Sequence, residues 1–254
     1  MFLSKVLGID DLGKRIDALE KKAIKSMDSN KALSQEIIWA EIFNSTITES
    51  SWLKDKSFSP GRWAVGYQYL YALYRILDIS KPKNILELGL GQTTHMITQY
   101  AMCDDKVDHT VVEHDEAWIS FCRKRDKYAP NTDICRLDIV YDGIYREDRE
   151  VVQYSGFREK ISGRKFDLIS VDGPFGFMAK TYARTDILPL LPDCLSESFV
   201  IMIDDSERTG EINTINEIKR ILDESSIKYE EGVYKGLKWS TVIASEDQKF
   251  LCSM

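Results

Sequence analysis

The sequence has 254 residues, of which 43% are hydrophobic and 30% are charged, and its formal net charge at pH 7 is −7. This balance suits one substantial hydrophobic core and excludes a low-complexity disordered chain. The acidic charge and the lack of long basic runs argue against a broad nucleic-acid surface. No apolar run reaches the roughly 20 residues of a membrane helix.

The N-terminal region, residues 1 to about 50, is predicted to be an amphipathic helix. Apolar residues recur there at helical spacing, namely Leu7, Leu12, Ile16, Leu19 and Ala23. Such a helix either packs on the rest of the chain or pairs with a second copy as a short coiled coil. We therefore divide the chain into an N-terminal helical segment, 1–60, acting as a lid, in packing or in dimerisation, and a main domain, 61–254.

An aromatic-rich helix is predicted next, over Trp63–Leu77, after a loop that ends in Pro60 and Gly61. Its tyrosines recur at helical spacing, which is typical of a helix packed in a core. Trp63 and Tyr67 are also candidates for stacking on a substrate, because aromatic faces pack well on sugars and on adenine. The sequence leaves both interpretations open.

From residue 83 onward, apolar runs of strand length alternate with helical segments. The predicted strands are 84–88, 109–113, 133–137, 166–171, 199–203, 229–234 and 239–244, and the predicted helices are 116–127, 179–191 and 211–224. This alternation predicts a Rossmann-like, doubly wound α/β fold with a mainly parallel seven-stranded sheet. The link 235–238 is too short for a parallel crossover, so we expect the last strand to be antiparallel.

The cysteines and the first residues of the chain bear on its surroundings. The five cysteines are odd in number and include no Cys-x-x-Cys pair, which favours free thiols over a disulfide framework or a zinc site. The first 15 residues contain acids and no long apolar stretch, unlike a signal peptide. We therefore expect a cytoplasmic protein.

The most informative motif is Glu-Leu-Gly-Leu-Gly at 87–91, directly after the first predicted strand. Gly89 and Gly91 allow a sharp turn and a close approach to a ligand. A dinucleotide site would have a third glycine where Thr94 stands, so an NAD-linked dehydrogenase is disfavoured. The acid Glu87 suits a cationic ligand instead. Glu113 ends the next strand, where an acid either accepts both hydroxyls of a ribose or simply faces solvent.

These motifs resemble the class I S-adenosylmethionine-dependent methyltransferases over residues 83 to 245. The resemblance is carried by the stretches 87–91, 111–115 and 166–173 and by the terminal hairpin. It implies S-adenosylmethionine as the cofactor, with the glycine loop holding the methionine part and Glu113 the ribose. It also implies that Thr93 and Thr94 bind the methionine carboxylate and that Asp138 lies near the adenine.

Three acids follow the fourth and fifth strands of the predicted sheet: Asp172, Asp204 and Asp205. Ligands bind beyond the carboxyl ends of such strands, so we expect the three carboxylates to converge. A divalent cation would neutralise them, and Mg²⁺ suits such oxygen ligands. The arrangement resembles the metal-dependent sugar and small-molecule O-methyltransferases, which implies that the three acids bind Mg²⁺. The alternative is that they cap a helix or pair with Arg208.

The resemblance implies methyl transfer to a hydroxyl oxygen of a sugar, a glycan or another small molecule. Asp172 would act in catalysis, and Lys180 either is a general base, if burial lowers its pKa, or is a solvated helix residue. Arg208 either grips an acidic group of the substrate or neutralises the neighbouring acids. The alternatives are a metal-free methyltransferase with a Lys, His or Asp base, and a non-catalytic nucleoside-binding or assembly protein. The expected partner is a small-molecule or glycan acceptor, with no nucleic acid and no membrane span, in a homo-oligomer joined through the N-terminal helices.

Overall fold

The fold is a seven-stranded sheet with helices on both faces. The computed structural model describes residues 9–254, so the first eight residues of the predicted N-terminal helix, including Leu7, lie outside the described part. The strands are β1 (Asn84–Leu88), β2 (Asp108–Glu113), β3 (Thr132–Arg136), β4 (Ile139–Tyr145), β5 (Asp148–Tyr154), β6 (Phe166–Val171), β7 (Leu195–Asp204), β8 (Tyr229–Lys235) and β9 (Trp239–Ser245). The helices are α1 (Ile9–Ile47), α2 (Tyr67–Ser80), α3 (Gln92–Ala101), α4 (Glu116–Arg125), α5 (Phe157–Ile161) and α6 (Thr209–Glu224).

The strand order of the sheet is β3-β2-β1-β6-β7-β9-β8, and all seven predicted strands are present. The pairs among β3, β2, β1, β6 and β7 are parallel, whereas β9 runs antiparallel to both β7 and β8. The predicted fold class, including the antiparallel last strand, is therefore confirmed. None of the described helices is long and apolar enough to cross a membrane.

Two hydrophobic clusters cover the two faces of the sheet. Because successive strand residues point to opposite faces, Ile85 packs with α2 and α3 while its neighbour Leu86 packs with α5 and α6. The alternation repeats at Leu168 and Ile169 in β6. Both faces of the sheet are thus buried, as a mainly parallel sheet requires. The loops at the carboxyl ends of the strands are left open to a ligand.

The C-terminal half of α1 is part of the first cluster, since Phe43 and Ile47 are buried there. Glu36 accepts hydrogen bonds from the main-chain N–H groups of Tyr67 and Leu237, each at 3.0 Å. Trp39 Nε1 donates to the carbonyl oxygen of Lys235 at 2.8 Å. By contrast, the side chains of residues 11–31 are exposed. One end of α1 therefore contacts the hairpin of β8 and β9, and the other has an uncovered surface.

Three details differ from the sequence-based expectation. The segment 179–191 is mostly irregular, with a single 3-10 turn at Leu188–Leu190, because Arg184 has a left-handed φ of 56° and the Ala183 carbonyl oxygen accepts from the Thr214 hydroxyl of α6. The aromatic helix starts at Tyr67, not Trp63, because Gly61 and Arg62 form a left-handed turn. The antiparallel pair β4 and β5 was not predicted.

Candidate functional site

A cleft of about 590 Å³ opens at the carboxyl ends of β1, β2, β6 and β7. This is where open α/β sheets bind their ligands. The loop before α2 forms one wall, and the turn before β9 closes another. The residues that line it include Arg62, Trp63, Gly89, Gly91, Thr93, Glu113, Trp118, Asp172, Phe175, Phe177, Arg184, Asp205, Arg208 and Lys238. The structure thus brings the predicted glycine loop, the ribose acid and two of the three clustered acids, Asp172 and Asp205, into one cavity, while Asp204 is fully buried and does not line it.

The two glycines of the loop have different surroundings. Gly89 has a φ of +99°, and a Cβ there would lie 3.3 Å from the main-chain carbon and oxygen of Asp172. Gly89 therefore lets β1 pack closely against the end of β6. A Cβ on Gly91 would meet no atom within 4 Å. Gly91 precedes α3, whose first N–H groups have no partner within the helix, so the loop offers donors and open space to a ligand.

Glu87 lies behind the glycine loop and does not line the cleft. Its side chain is fully buried, accepts a hydrogen bond from the Thr93 hydroxyl and lies 2.9 Å from His109 Nε2. The Thr94 hydroxyl oxygen accepts from the Gly91 N–H at 2.9 Å. These bonds hold the loop in shape, and neither Glu87 nor Thr94 lines the cleft; their predicted contact with the cofactor stays a prediction.

Glu113 is at the cleft wall, as predicted for a ribose-binding acid. Its Oε2 accepts from the Leu90 N–H at 3.0 Å, and its Oε1 accepts from the N–H groups of His114 and Asp115 at 2.6 and 2.9 Å. These bonds fix the carboxylate at the mouth of the glycine loop. Asp138, the predicted adenine neighbour, is not among the cleft residues; its side chain is exposed and pairs with Arg136.

The three predicted acids converge, and two cations lie among them, of which Arg184 is buried and Lys238 is partly buried. One oxygen each of Asp172, Asp204 and Asp205 fall within 4.8 Å of one another. Arg184 Nη2 lies 2.8 Å from Asp205 Oδ2 and 3.2 Å from Asp172 Oδ1. Lys238 Nζ lies 3.2 Å from Asp204 Oδ2 and 3.3 Å from Asp205 Oδ1. Sequence reasoning missed both cations, because neither belongs to a recognisable motif.

Two further charges complete the cluster. Arg208 Nη2 lies 2.8 Å from Asp205 Oδ1, which is the pairing that the sequence left open as an alternative. Glu211, fully buried in α6, faces Arg184 Nε at 3.6 Å, and neither of its carboxylate oxygens has a hydrogen bond. Four carboxylates therefore surround three cations.

Burial shapes the acidity of this cluster. Desolvation, and then the charge of Asp204, raise the pKa of Asp172 to about 8, against the opposing pull of Arg184 and Lys238. Desolvation likewise raises the pKa of Asp204. Burial opposes the charge of Lys238, yet the surrounding acids raise its pKa above the ordinary value. Asp172 is the acid at the cleft surface, with 19% of its side chain exposed, so it is the carboxyl group best placed to exchange a proton with a ligand.

The cluster does not fit a divalent cation. The spacing of the three carboxylates would suit one. However, Arg184 contacts Asp172 and Asp205, and Lys238 contacts Asp204 and Asp205, so each candidate ligand already has a cationic partner. A metal ion would have to displace these groups or lie beside their charges. No step is therefore assigned to Mg²⁺.

Two predicted residues lie away from the cleft. Lys180 is 73% exposed and pairs with Glu150, and the hydrogen bond to Glu150 raises its pKa, the opposite of what a general base requires. Tyr67 packs against Phe43 with ring centroids 6.0 Å apart. Trp63, by contrast, lines the cleft and is 80% exposed, and its ring lies 5.8 Å from that of Phe177. Trp63 and Phe177, with Phe175 beside them, form an aromatic rim at the cleft mouth.

Neither a protein-family model nor a curated protein sequence matches the chain significantly. Among solved structures, the fold is similar to the O-methyltransferase TomG from Streptomyces achromogenes in complex with SAM, at 11% identity and a TM-score of 0.50, covering 85% of this chain and 98% of that one. A looser likeness is to the SAH-bound methyltransferase PaMTH1 of Podospora anserina, at 17% identity and a TM-score of 0.46, covering 90% and 96% of the two chains.

The strand order and the TomG likeness together define the fold as that of the class I methyltransferases. The resemblance inferred from the sequence motifs is thereby confirmed at the level of the fold.

Proposed function

We propose that the chain is an S-adenosylmethionine-dependent methyltransferase that acts on a hydroxyl oxygen of a small molecule. The observation that carries the proposal is that the glycine loop, Glu113 and Asp172 open into one cleft of about 590 Å³. That volume is in the range of small-molecule sites. The open space at Gly91 and the free N–H groups at the start of α3 suit the methionine carboxylate, and Glu113 suits the ribose hydroxyls.

S-adenosylmethionine would supply a methyl group on a positively charged sulfur, which is already activated for transfer. The contribution of the chain is therefore to align the acceptor oxygen with that methyl group and to take up the hydroxyl proton. Asp172 is the proposed proton acceptor, because its carboxyl group is at the cleft surface and burial raises its pKa, which makes its ionised form a stronger base. In the transfer, an O–C bond would form as the S–C bond broke, and the hydroxyl proton would pass to the ionised Asp172 carboxylate.

The acceptor is proposed to be a sugar, a glycan precursor or another small molecule with a ring. The aromatic rim supports this class, since Trp63 and Phe177 offer exposed faces on which a sugar or planar ring can stack. Arg208, 37% exposed, is suited to hold an acidic group of such an acceptor. A cytoplasmic location stays a prediction.

The test is calorimetric titration of S-adenosylhomocysteine into the protein, with NAD as the control ligand. We expect S-adenosylhomocysteine to bind and NAD not to bind. An acceptor screen with labelled methyl donor follows, in which Asp172→Asn should lower the rate about 10²–10⁴-fold, the usual contribution of a general base. Asp193→Asn, at an exposed site outside the cleft, is the matched control. Absence of S-adenosylhomocysteine binding would refute the proposal.

We also propose that α1 pairs with α1 of a second copy. Leu12, Ile16 and Leu19 are 55%, 48% and 65% exposed, and Leu33 and Ile37 continue the same stripe at 49% and 71%. Leu12, Ile16 and Leu19 follow the alternating spacing of four and three that coiled coils use, and Leu33 and Ile37 resume it two heptads further on. Sedimentation equilibrium should give a dimer that Leu19→Asp dissociates, whereas Lys25→Asp, off the stripe, should not. A wild-type monomer at all concentrations would refute this part.

A further inference from the structure

We propose that the Arg184 guanidinium holds the position in which the resemblance to metal-dependent O-methyltransferases implies a divalent cation, so that this chain needs no metal. Arg184 comes from the irregular segment between β6 and β7, and only 4% of its side chain is exposed. Its Nη2 contacts the carboxylates of Asp172 and Asp205 at 3.2 and 2.8 Å. These are two of the three acids that would have been metal ligands.

The same guanidinium joins the ends of two neighbouring strands. Its Nη1 donates to the main-chain oxygen of Asp204, the last residue of β7, at 2.8 Å. The Asp172 carboxylate, which it contacts at Nη2, follows the last residue of β6. A metal ion bound by acids from both strand ends would likewise join the end of β6 to the end of β7. The planar fork of an arginine does so with fixed geometry and permanent charge.

The third acid is also occupied. Asp204 Oδ2 lies 3.2 Å from Lys238 Nζ, and Asp204 Oδ1 accepts from the Ser240 hydroxyl at 3.2 Å. Lys238 is itself only 14% exposed. An incoming divalent cation would therefore meet two buried positive charges close to its ligands, and like charges repel strongly in such a setting. Cationic side chains of the chain itself therefore offset most of the negative charge of the cluster.

The backbone conformation also supports this role of Arg184. Arg184 and Asp205 are non-glycine residues with left-handed φ values of 56° and 57°. Such conformations are unfavourable and persist where surrounding contacts hold them. Here the two strained residues are partners in one ion pair, at 2.8 Å, which lies at the floor of the cleft.

The catalytic consequence rests on the proposed methyl transfer. Arg184 contacts Oδ1 of Asp172, so the other carboxylate oxygen, Oδ2, is the one that we assign to an acceptor hydroxyl. Arg184 is thus a positioning residue, acting through Asp172. The metal question itself can be answered without any acceptor.

The experiment is titration of the full chain with Mn²⁺, followed by electron paramagnetic resonance, beside melting curves with and without Mg²⁺. The wild type should bind no Mn²⁺ up to about 1 mM, and Mg²⁺ should leave its Tm unchanged, because a ligand raises Tm only when it binds the folded state. Arg184→Met should uncover the carboxylates, bind Mn²⁺ and gain Tm with Mg²⁺. Arg220→Met, at an exposed ion pair of α6, is the matched control and should behave as the wild type.

Two results would overturn the proposal. One is Mn²⁺ binding to the wild type that is lost in Asp205→Asn. The other is a folded Arg184→Met variant that still binds no Mn²⁺. If Arg184→Met does not fold, Lys238→Met tests the same prediction from the other cation, and Mn²⁺ binding to the wild type would still overturn the proposal. Failure of the proposed function would instead appear as absent S-adenosylhomocysteine binding, whichever way the Mn²⁺ titration turns out.

Discussion

The two glycines of the loop should respond differently to the same added methyl group. Gly89→Ala places a side chain at a φ of +99° and 3.3 Å from the Asp172 main chain. The backbone strain alone costs about 1–3 kcal/mol, and the close contact adds to it. We expect a loss of about 2–3 kcal/mol in the free energy of unfolding. For a chain of this size, that lowers Tm by roughly 4–12 °C.

Gly91→Ala should leave the fold intact and weaken cofactor binding. Its φ of −174° is extended backbone that any residue adopts, and the new Cβ meets no protein atom within 4 Å. Stability should therefore change by less than about 0.5 kcal/mol. The added methyl group occupies space that we assign to the ligand, so the Kd for S-adenosylhomocysteine should rise about tenfold or more, equivalent to about 1.4 kcal/mol.

The assay is scanning calorimetry for Tm and isothermal titration for Kd, on both variants and the wild type. If Gly91→Ala binds S-adenosylhomocysteine as tightly as the wild type, the loop does not hold the cofactor. If the two variants lose equal stability, the assignment of Gly89 to packing and Gly91 to binding is wrong.

Three further predictions concern other parts of the chain. Desolvation raises the pKa of buried Asp186 to about 7, so protonation of Asp186 stabilises the fold at low pH, and this stability is lost as the pH rises toward 7. In urea unfolding, the free energy of unfolding of Asp186→Asn should therefore rise relative to the wild type by about 2–3 kcal/mol between pH 5 and pH 8. A difference between the two proteins that stays constant with pH would contradict this. Glu36→Ala removes two hydrogen bonds and should lower the free energy of unfolding by about 2 kcal/mol in the same assay. Glu41→Ala, exposed on the same helix, is the control and should leave the free energy of unfolding almost unchanged. Equal losses in the two variants would disprove the role of Glu36. Lys180→Ala should leave methyl transfer unchanged in the labelled-donor assay, because Lys180 does not line the cleft and pairs with Glu150 instead; a loss comparable to that of Asp172→Asn would overturn this.

The sheet was predictable because its signals are local. Apolar runs of strand length, short links and the glycine loop after β1 each depend on neighbouring residues, and together they gave all seven strands and the antiparallel end. The segment 179–191 was predicted as a helix for the same reason and is not one. In that segment, long-range contacts override the local helical pattern, because the Ala183 carbonyl oxygen accepts a hydrogen bond from α6 and Arg184 pairs with Asp205.

The site was predictable where strand ends determine it and not where tertiary contacts do. Glu113 is the last residue of β2, and Asp172 and Asp205 come directly after β6 and β7. The topology alone therefore brings them together at the carboxyl ends of the strands. The orientation of Glu87 could not be read in the same way, because whether a strand residue faces ligand or core depends on partners such as His109. Arg184 carried no signal, since a single arginine in a loop has no spacing to recognise. Its place became apparent only from the ion pairs.

The N-terminal helix and the cleft are linked through the hairpin of β8 and β9. Glu36 and Trp39 form hydrogen bonds with the main chain of Leu237 and Lys235, at the turn between β8 and β9. Lys238 follows directly after Leu237. Lys238 in turn faces the acids at the floor of the cleft. A helix that was predicted as a separate segment therefore helps to position a charge of the site. If a second copy pairs along the exposed stripe of α1, the helix that carries the dimer contact is also the helix that holds this hairpin.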